Sequence, residues 1–453
     1  MGRIHKFHLN DRYMVLDVAS GSVHVVHPMI YDLVDYVDAG REDEALKELK
    51  GKYSEDDLRE GLSELLHLKN EGILFTEDDT AMPHPYNQEG IIKAMCLHVA
   101  HDCNLRCTYC FASQGDFHGE RLLMDEETGR AAFDFLVEHS GKRRNLEVDF
   151  FGGEPLMNFD LVKSLVAYGR SLEEKHDKHF RFTLTTNGVL LDDEKIAFVN
   201  EHMDNVVLSL DGRPEVNDSM RPTTNGKGSY ETIIPKFQKL IAGRGNKDYY
   251  IRGTFTNKNL DFSKDLEHYY DLGFRKTSLE PVVTEETRPY ALREEHLQQI
   301  LDEYEKMSEV YLRLRREDPN FLFFHFMVDL NQGPCLVKRA VGCGAGSEYV
   351  AITPEGDIYP CHQFVGEKEF LLGNVKDGTL DNEKREVFRC SNVFTKEECQ
   401  SCWAKYYCSG GCHANAYYAH GTITKPHELQ CAMEKKRLEA ALSVYAVEME
   451  DSF

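Results

Sequence analysis

Cys103-Asn104-Leu105-Arg106-Cys107-Thr108-Tyr109-Cys110 is the stretch on which the reading of the chain turns. Its three cysteines, spaced C-x3-C-x2-C, follow an apolar segment, Ala94 to Ala100, that the pattern predicts as a strand. Three thiolates from one tight loop can hold three irons of a [4Fe–4S] cube and leave the fourth iron open to a further ligand. A zinc knuckle is the competing reading, because a single cluster of three cysteines is a short pattern.

Working outward, strands alternate with amphipathic helices from Ile91 onward, the signature of parallel α/β architecture. Six strands are expected: Ala94–Ala100, Leu146–Phe151, Phe180–Thr185, Val206–Leu210, Tyr249–Thr256 and Thr277–Val283. A last helix, near Glu294 to Arg316, keeps Leu297, Ile300, Leu301, Tyr304, Met307, Val310, Tyr311 and Leu314 on one stripe. Six βα units are fewer than the eight of a closed barrel, so the expected fold is α/β, an open partial (β/α)6 barrel. Polar clusters fall where these strands end, which is where parallel α/β folds place their chemistry. The cysteine run follows the first strand, Gly152-Gly153-Glu154-Pro155 the second, and Thr185-Thr186-Asn187-Gly188 the third. Ser209-Leu210-Asp211-Gly212 follows the fourth, with Arg221 shortly beyond. Glycines there permit close backbone approach, and a carboxylate such as Glu154 can take an ammonium group.

Residues 1–76 form a separate unit in this reading. A hairpin of Tyr13–Val18 and Val23–Val26 around Ser20-Gly21-Ser22 precedes a helix opened by Pro28, with Ile30, Leu33, Val34 and Val37 inward. A later helix starts at Ser54, with Asp57 at capping distance, and repeats Leu58, Leu62, Leu65 and Leu66. Strands followed by helices suggest a winged-helix-like module, with no catalytic residue evident. Residues 77–90 are acidic, polar and proline-containing, and read as a linker; 91–320 would be the barrel and 321–453 a third unit.

The third unit carries its own cysteines: Cys343, Cys361, then Cys399-x2-Cys402-x5-Cys408-x3-Cys412, and Cys431. Such spacings suit structural zinc or further iron–sulfur cubes. Thirteen cysteines in a chain without a secretory signal favour metal ligation over disulfides. A formal charge of -24 argues against a nucleic-acid partner, and no apolar run is long enough to cross a membrane. The expected location is the cytoplasm, in an organism living without oxygen.

With these motifs in view, the chain resembles the radical S-adenosylmethionine (SAM) enzymes, which pair C-x3-C-x2-C with a G-G-E-P strand end. The resemblance covers roughly residues 91–320. It implies that Cys103, Cys107 and Cys110 hold a [4Fe–4S] cluster and that Gly152, Gly153 and Glu154 hold the methionyl amine of SAM. Tyr109, Ser209 and Arg221 stand where relatives contact the cofactor, Arg221 as a fork of donors for its carboxylate. The C-terminal cysteines resemble the SPASM domain, which implies two auxiliary [4Fe–4S] clusters, three clusters in all. Cys343, Cys361 and Cys412 would bind one, and Cys399, Cys402, Cys408 and Cys431 the other. The fourth position of the first auxiliary cluster is either Cys335 or an open iron that takes a substrate thiol. Cys96 reads as a core residue, Cys390 as a plain thiol and His362 as support beside a ligand.

The N-terminal unit resembles PqqD-like recognition elements, in which a leader peptide adds a strand to a sheet edge; a plain packing domain is the alternative. The whole combination most resembles the maturases of SCIFF peptides (six cysteines in forty-five residues). That likeness implies thioether cross-links from substrate cysteines to a carbon of threonine or a neighbour, begun by a 5′-deoxyadenosyl radical. A cysteine-rich precursor peptide and a low-potential electron donor would be the partners. Sulfatase maturation or carbon–carbon cross-linking on the same scaffold is an alternative. Here His362 stands where sulfatase maturases carry Asp, and those enzymes lack the N-terminal unit. A non-catalytic, zinc-dependent peptide-binding protein is a further alternative.

Overall fold

The computed structural model describes residues 3–78, 90–328 and 340–451. Most of the expected linker, and Cys335, lie outside the described residues.

The N-terminal unit is an antiparallel sheet of β1 (Ile4–Leu9), β2 (Arg12–Asp17) and β3 (Val23–Val26), followed by α1 (Pro28–Asp38), α2 (Glu42–Glu48) and α3 (Glu55–Asn70). Pro28 opens α1, where a missing N–H costs nothing, and Ser54 caps α3 by accepting the Asp57 N–H at 3.1 Å. Alternation along β2 divides its side chains between two cores. Val15 joins Leu33, Val34, Val37, Leu58, Leu62 and Leu65 against the helices, while Met14 and Leu16 face the core of the main body. Leu66 departs from the expected inward stripe. It is 36% exposed, while Leu58, Leu62 and Leu65 are buried with α1. The buried Asp17 carboxylate accepts from the backbone of Ser20 and Thr76, tying the exit of the unit to its sheet.

The main body is built on six neighbouring parallel strands in sheet order: β4 (Ala94–His101), β6 (Asn145–Gly152), β7 (His179–Thr186), β8 (Asn205–Ser209), β9 (Tyr250–Phe255) and β10 (Lys276–Pro281). A short β5 (Leu122–Leu123) pairs with β4. Helices α4 (Glu126–His139), α5 (Phe159–His176), α6 (Asp193–His202), α7 (Pro214–Met220), α8 (Tyr230–Ala242), α9 (Ser263–Asp271) and α10 (Leu297–Glu317) connect and back the strands. The sheet order runs on at both ends without closing. β11 (Leu322–Phe323) adds in parallel to β10, and β12 (Tyr349–Ile352) adds in parallel to β4. This is the expected open barrel, extended by strands that periodicity alone did not assign to its edges. β12 also begins an antiparallel run through β13 (Asp357–Tyr359), β14 (Gly373–Asn374) and β15 (Thr379–Leu380), so the third unit continues the barrel sheet.

The final helix, Glu428–Glu450, packs against α10 and β1. Asn10 donates to Ser308 and Ser443, and His5 stacks on Trp403 with ring centres 3.8 Å apart. Asp78, at the start of the expected linker, pairs with the buried Lys405 at 2.6 Å and accepts from Tyr406, which fastens the exit of the N-terminal unit to the segment between Cys402 and Cys408. Among the described residues, no helix is long and apolar enough to cross a membrane.

Candidate functional site

The cysteine loop leaves β4 at its C-terminal end and is closed by its own backbone. Arg106 donates to the carbonyls of Cys103 and Leu105 at 2.6 and 2.7 Å. The N–H groups of Arg106 and Thr108 reach Pro222 O and Met220 O, binding the loop to the segment after α7. Two glycine runs press against it. A Cβ at Gly115 would stand 2.6 Å from Cys103 Cβ, and Cβ atoms at Gly152 or Gly153 would overlap the carbonyl oxygens of Ala100 or Asp102. Gly152, at φ +129, also takes a backbone angle that side chains rarely allow.

A cavity of about 730 Å³ opens at the strand ends. It is lined by Cys103, Cys107, Cys110, Tyr109, Gly152, Gly153, Ser209 and Arg221 on one side. On the other side stand Cys343, Cys361, Cys408, Cys412 and Cys431. Residues more than two hundred positions apart therefore share one chamber. Cys399 and Cys402 lie behind this wall, close enough to Cys408 to act on its charge, as Cys431 does. Cys343 and Cys412 act in the same way on Cys361. Cys96 is fully buried in the core, and Cys390 is exposed on the helix Asn382–Cys390.

Glu154 is placed by hydrogen bonds of its own. It is fully buried and absent from the cavity lining, and its carboxylate accepts from Thr186 Oγ1 (2.7 Å), Asn187 N (2.9 Å) and Leu156 N (3.1 Å). Burial still pushes its pKa up to about 7. The two glycines meet the cavity, and the Glu154 carboxylate lies close enough to Cys103 to act on its charge. Arg221 lines the cavity with its Nε 3.0 Å from the buried Asp211, which also accepts from the Tyr109 hydroxyl and the Thr254 N–H. Asp211 thus fixes two of the expected cofactor contacts at once.

Sequence reading marked Thr185 at the end of the third strand but passed over the rest of the barrel interior. Asp149, Arg252 and Glu280 join Thr185 in lining the cavity, from β6, β9 and β10 beside β7. Glu280 pairs with Arg252, and Arg437 with Glu434 on the final helix. Asp149 shows its remaining surface to the cavity, and burial raises its pKa to about 7 against a hydrogen bond from Thr185. A polar residue inside a strand otherwise buried on both faces was the available signal. His362 sits between Phe111 and Phe151, its Nδ1 3.3 Å from the Tyr349 hydroxyl, and burial lowers its pKa to about 4.

The donor set suits iron–sulfur clusters. Burial pushes the free thiols of Cys103 and Cys107 up to about 12, and those of Cys412 and Cys431 up to about 11. Such thiols ionise only against a strong positive charge, which bound metal provides. Asn104, inside the loop, keeps a buried Nδ2 donor with no partner, facing no protein acceptor. Among the described residues no three His, Cys, Asp or Glu side chains converge to hold a single ion. The buried Lys396 ammonium lies near Cys399, Cys408, Cys412 and Cys431 and donates to Gly410 O at 2.8 Å, a counter-charge for thiolates.

Comparison with known proteins agrees with this geometry. Residues 97–249 match the Radical SAM superfamily, and residues 343–403 match the SPASM iron–sulfur cluster-binding domain. The chain is 25% identical over 343 residues to a cysteine-type anaerobic sulfatase-maturating enzyme of Clostridium novyi, covering 69% of this chain and 86% of that protein. It is 27% identical over 376 residues to the mycofactocin maturase of Mycolicibacterium smegmatis, covering 78% and 88%. Among solved structures, native anSMEcpe with bound AdoMet and Cp18Cys peptide aligns at a TM-score of 0.65 and 20% identity, over 78% of this chain and 98% of that one. Streptococcus suis SuiB bound to precursor peptide SuiA aligns at 0.54 and 15%, over 95% and 98%. At these identities the structural likenesses show the fold. The chain thus carries a radical SAM domain joined to a SPASM iron–sulfur cluster-binding domain, on the partial α/β barrel of radical SAM enzymes.

Proposed function

We propose that this protein installs thioether cross-links in a cysteine-rich, ribosomally made peptide, joining a substrate cysteine sulfur to a carbon of threonine or a neighbouring residue. The observation that carries the reading is the single cavity shared by the Cys103–Cys110 loop and by Cys343, Cys361 and Cys412. SAM held against a reduced [4Fe–4S] cluster supplies a hydrogen-abstracting carbon radical. Cys103, Cys107 and Cys110 would hold that cluster. Gly152, Gly153 and Glu154 would hold the methionyl amine, while Arg221, Ser209 and Tyr109 would orient the rest of the cofactor. Cys343, Cys361 and Cys412 would hold one auxiliary cluster within reach of a substrate thiol, and Cys399, Cys402, Cys408 and Cys431 the other.

The protein's side chains exclude water and position the peptide. Phe111, Phe151 and Tyr349 wall the chamber, and the Arg252–Glu280 pair offers a donor and an acceptor to a peptide bond. Asp149 exchanges a proton near neutrality and is suited to accept the proton that a substrate thiol must lose. The N-terminal unit supports a peptide substrate as well. One edge of its sheet, β1, packs on the final helix, while β3 shows Val25 at 44% exposure, an edge on which an extended leader can pair.

A second reading, modification without a carbon–sulfur bond, is favoured by the likeness to the sulfatase-maturating enzyme. Product analysis separates the two. A thioether and a carbon–carbon link each remove two hydrogens, but only the thioether removes a cysteine from alkylation while its sulfur stays in the peptide. Oxidation of a cysteine to an aldehyde also consumes the thiol, but with loss of the sulfur. A peptide lighter by two hydrogens with all its thiols still alkylated would rule out the first reading. Anaerobic iron analysis tests the cluster assignment and the zinc alternative together. About twelve irons per chain should fall to about eight in Cys103→Ala/Cys107→Ala/Cys110→Ala.

A further inference from the structure

Asn187, at the end of β7, touches two chemically distinct parts of the site. Its backbone N–H donates to Glu154 at 2.9 Å, and its Oδ1 accepts from Val189 N at 3.0 Å. That second bond fixes the amide so that Nδ2 faces the cysteine loop. There Nδ2 donates to Asn104 Oδ1 at 2.8 Å and reaches Cys103 Sγ at 3.6 Å. The same sulfur receives the Leu105 N–H at 3.4 Å. Asn187 is buried, so neither contact is shared with bulk water.

We infer that Asn187 is a positioning residue that sets the reduction potential of the cluster held by Cys103, Cys107 and Cys110, through its amide donor to the Cys103 sulfur. A donor aimed at a ligand sulfur stabilises the more negative, reduced cluster more than the oxidised one. Its removal therefore makes reduction harder. The backbone bond to Glu154 ties this donor to the strand end that carries Gly152 and Gly153. The inference rests on the cluster assignment to the Cys103 loop.

The test is a potentiometric titration of the anaerobically reconstituted full-length protein, followed by electron paramagnetic resonance. The relevant signal is the one that changes when SAM is added. Asn187→Leu removes donor and acceptor without adding charge and is the deciding variant. Asn187→Asp keeps the acceptor for Val189 and the side-chain shape but loses the donor and adds a negative charge that lowers the midpoint further. The expected result is a midpoint more negative by about tenfold in the one-electron equilibrium, about 59 mV, in Asn187→Leu, and more negative still in Asn187→Asp. Iron content and the other signals should stay as in the wild type. An unmoved midpoint with iron retained would overturn the inference. So would a loss of about four irons in Asn187→Leu, because the amide would then build the loop rather than tune it. A wild-type protein with no SAM-responsive signal would instead sink the cluster assignment, and this inference with it.

Discussion

At the scale of single residues, burial decides most of the chemistry. Asp149 shows this outside the cysteine sites. An unfolded aspartate ionises near 3.8, while the folded Asp149 carboxyl keeps its proton up to about 7. Between those values the folded state binds more protons, so this group's contribution to stability falls as pH rises from about 4 to about 7. Asp149→Asn should flatten that part of the stability curve and be more stable than wild type above pH about 7, measured by anaerobic denaturant titration. An unchanged slope would mean that Asp149 is ionised throughout. Asp211 is the opposite kind of buried carboxylate, already answered by Arg221, Tyr109 and a backbone N–H. Asp211→Asn should therefore weaken SAM binding by loosening Arg221 and Tyr109 together. Isothermal titration with SAM should show affinity reduced at least tenfold, with the iron content retained.

At the scale of elements, the site is made where β4 and β6 end side by side. The backbone of Gly152 and Gly153 fills the space that side chains would need against Ala100 and Asp102. Gly153→Ala should cost about 1–3 kcal/mol by overpacking. It should also lower iron content, because the displaced neighbour is the residue before Cys103. Denaturant unfolding and iron assay read the two effects separately. The spacing of this strand end was legible in the sequence, and so were the six strands, because apolar periodicity is a local property. The hydrogen bonds that hold Glu154 were not legible, because Thr186 and Asn187 lie far from it in the chain. Leu66 missed its expected burial, being 36% exposed on α3.

At the scale of the whole molecule, several junctions hold the units together. β12 joins the C-terminal unit to the edge of β4, and Asp78, just past the N-terminal unit, pairs with Lys405 and accepts from Tyr406. Breaking the buried Asp78–Lys405 pair with Asp78→Ala should cost about 3 kcal/mol. Hydrogen exchange should then rise in β1 to β3 and in residues 399–408 together. Val25→Glu on the exposed β3 edge should weaken binding of a leader-bearing peptide at least tenfold while reductive cleavage of SAM continues, because the cavity is lined entirely by later residues. Unchanged peptide binding in this variant would leave the N-terminal unit a packing domain.

The sequence by itself determined the local pieces: the loop of three cysteines, the glycine strand end, the alternation of strand and helix, and the capped helices at Pro28 and Ser54. Each depends on residues within a few positions of one another, where spacing dictates which side chains share a loop or a face. Only the tertiary structure decided which ends meet. It placed Cys103 and Cys412 in one cavity, set Asp211 beneath Arg221 and Tyr109, and turned Asn187 toward Cys103. It also drew polar side chains of four strands into one interior. Those meetings follow from sheet order and from which edge receives β12, and long-range packing of buried faces sets both.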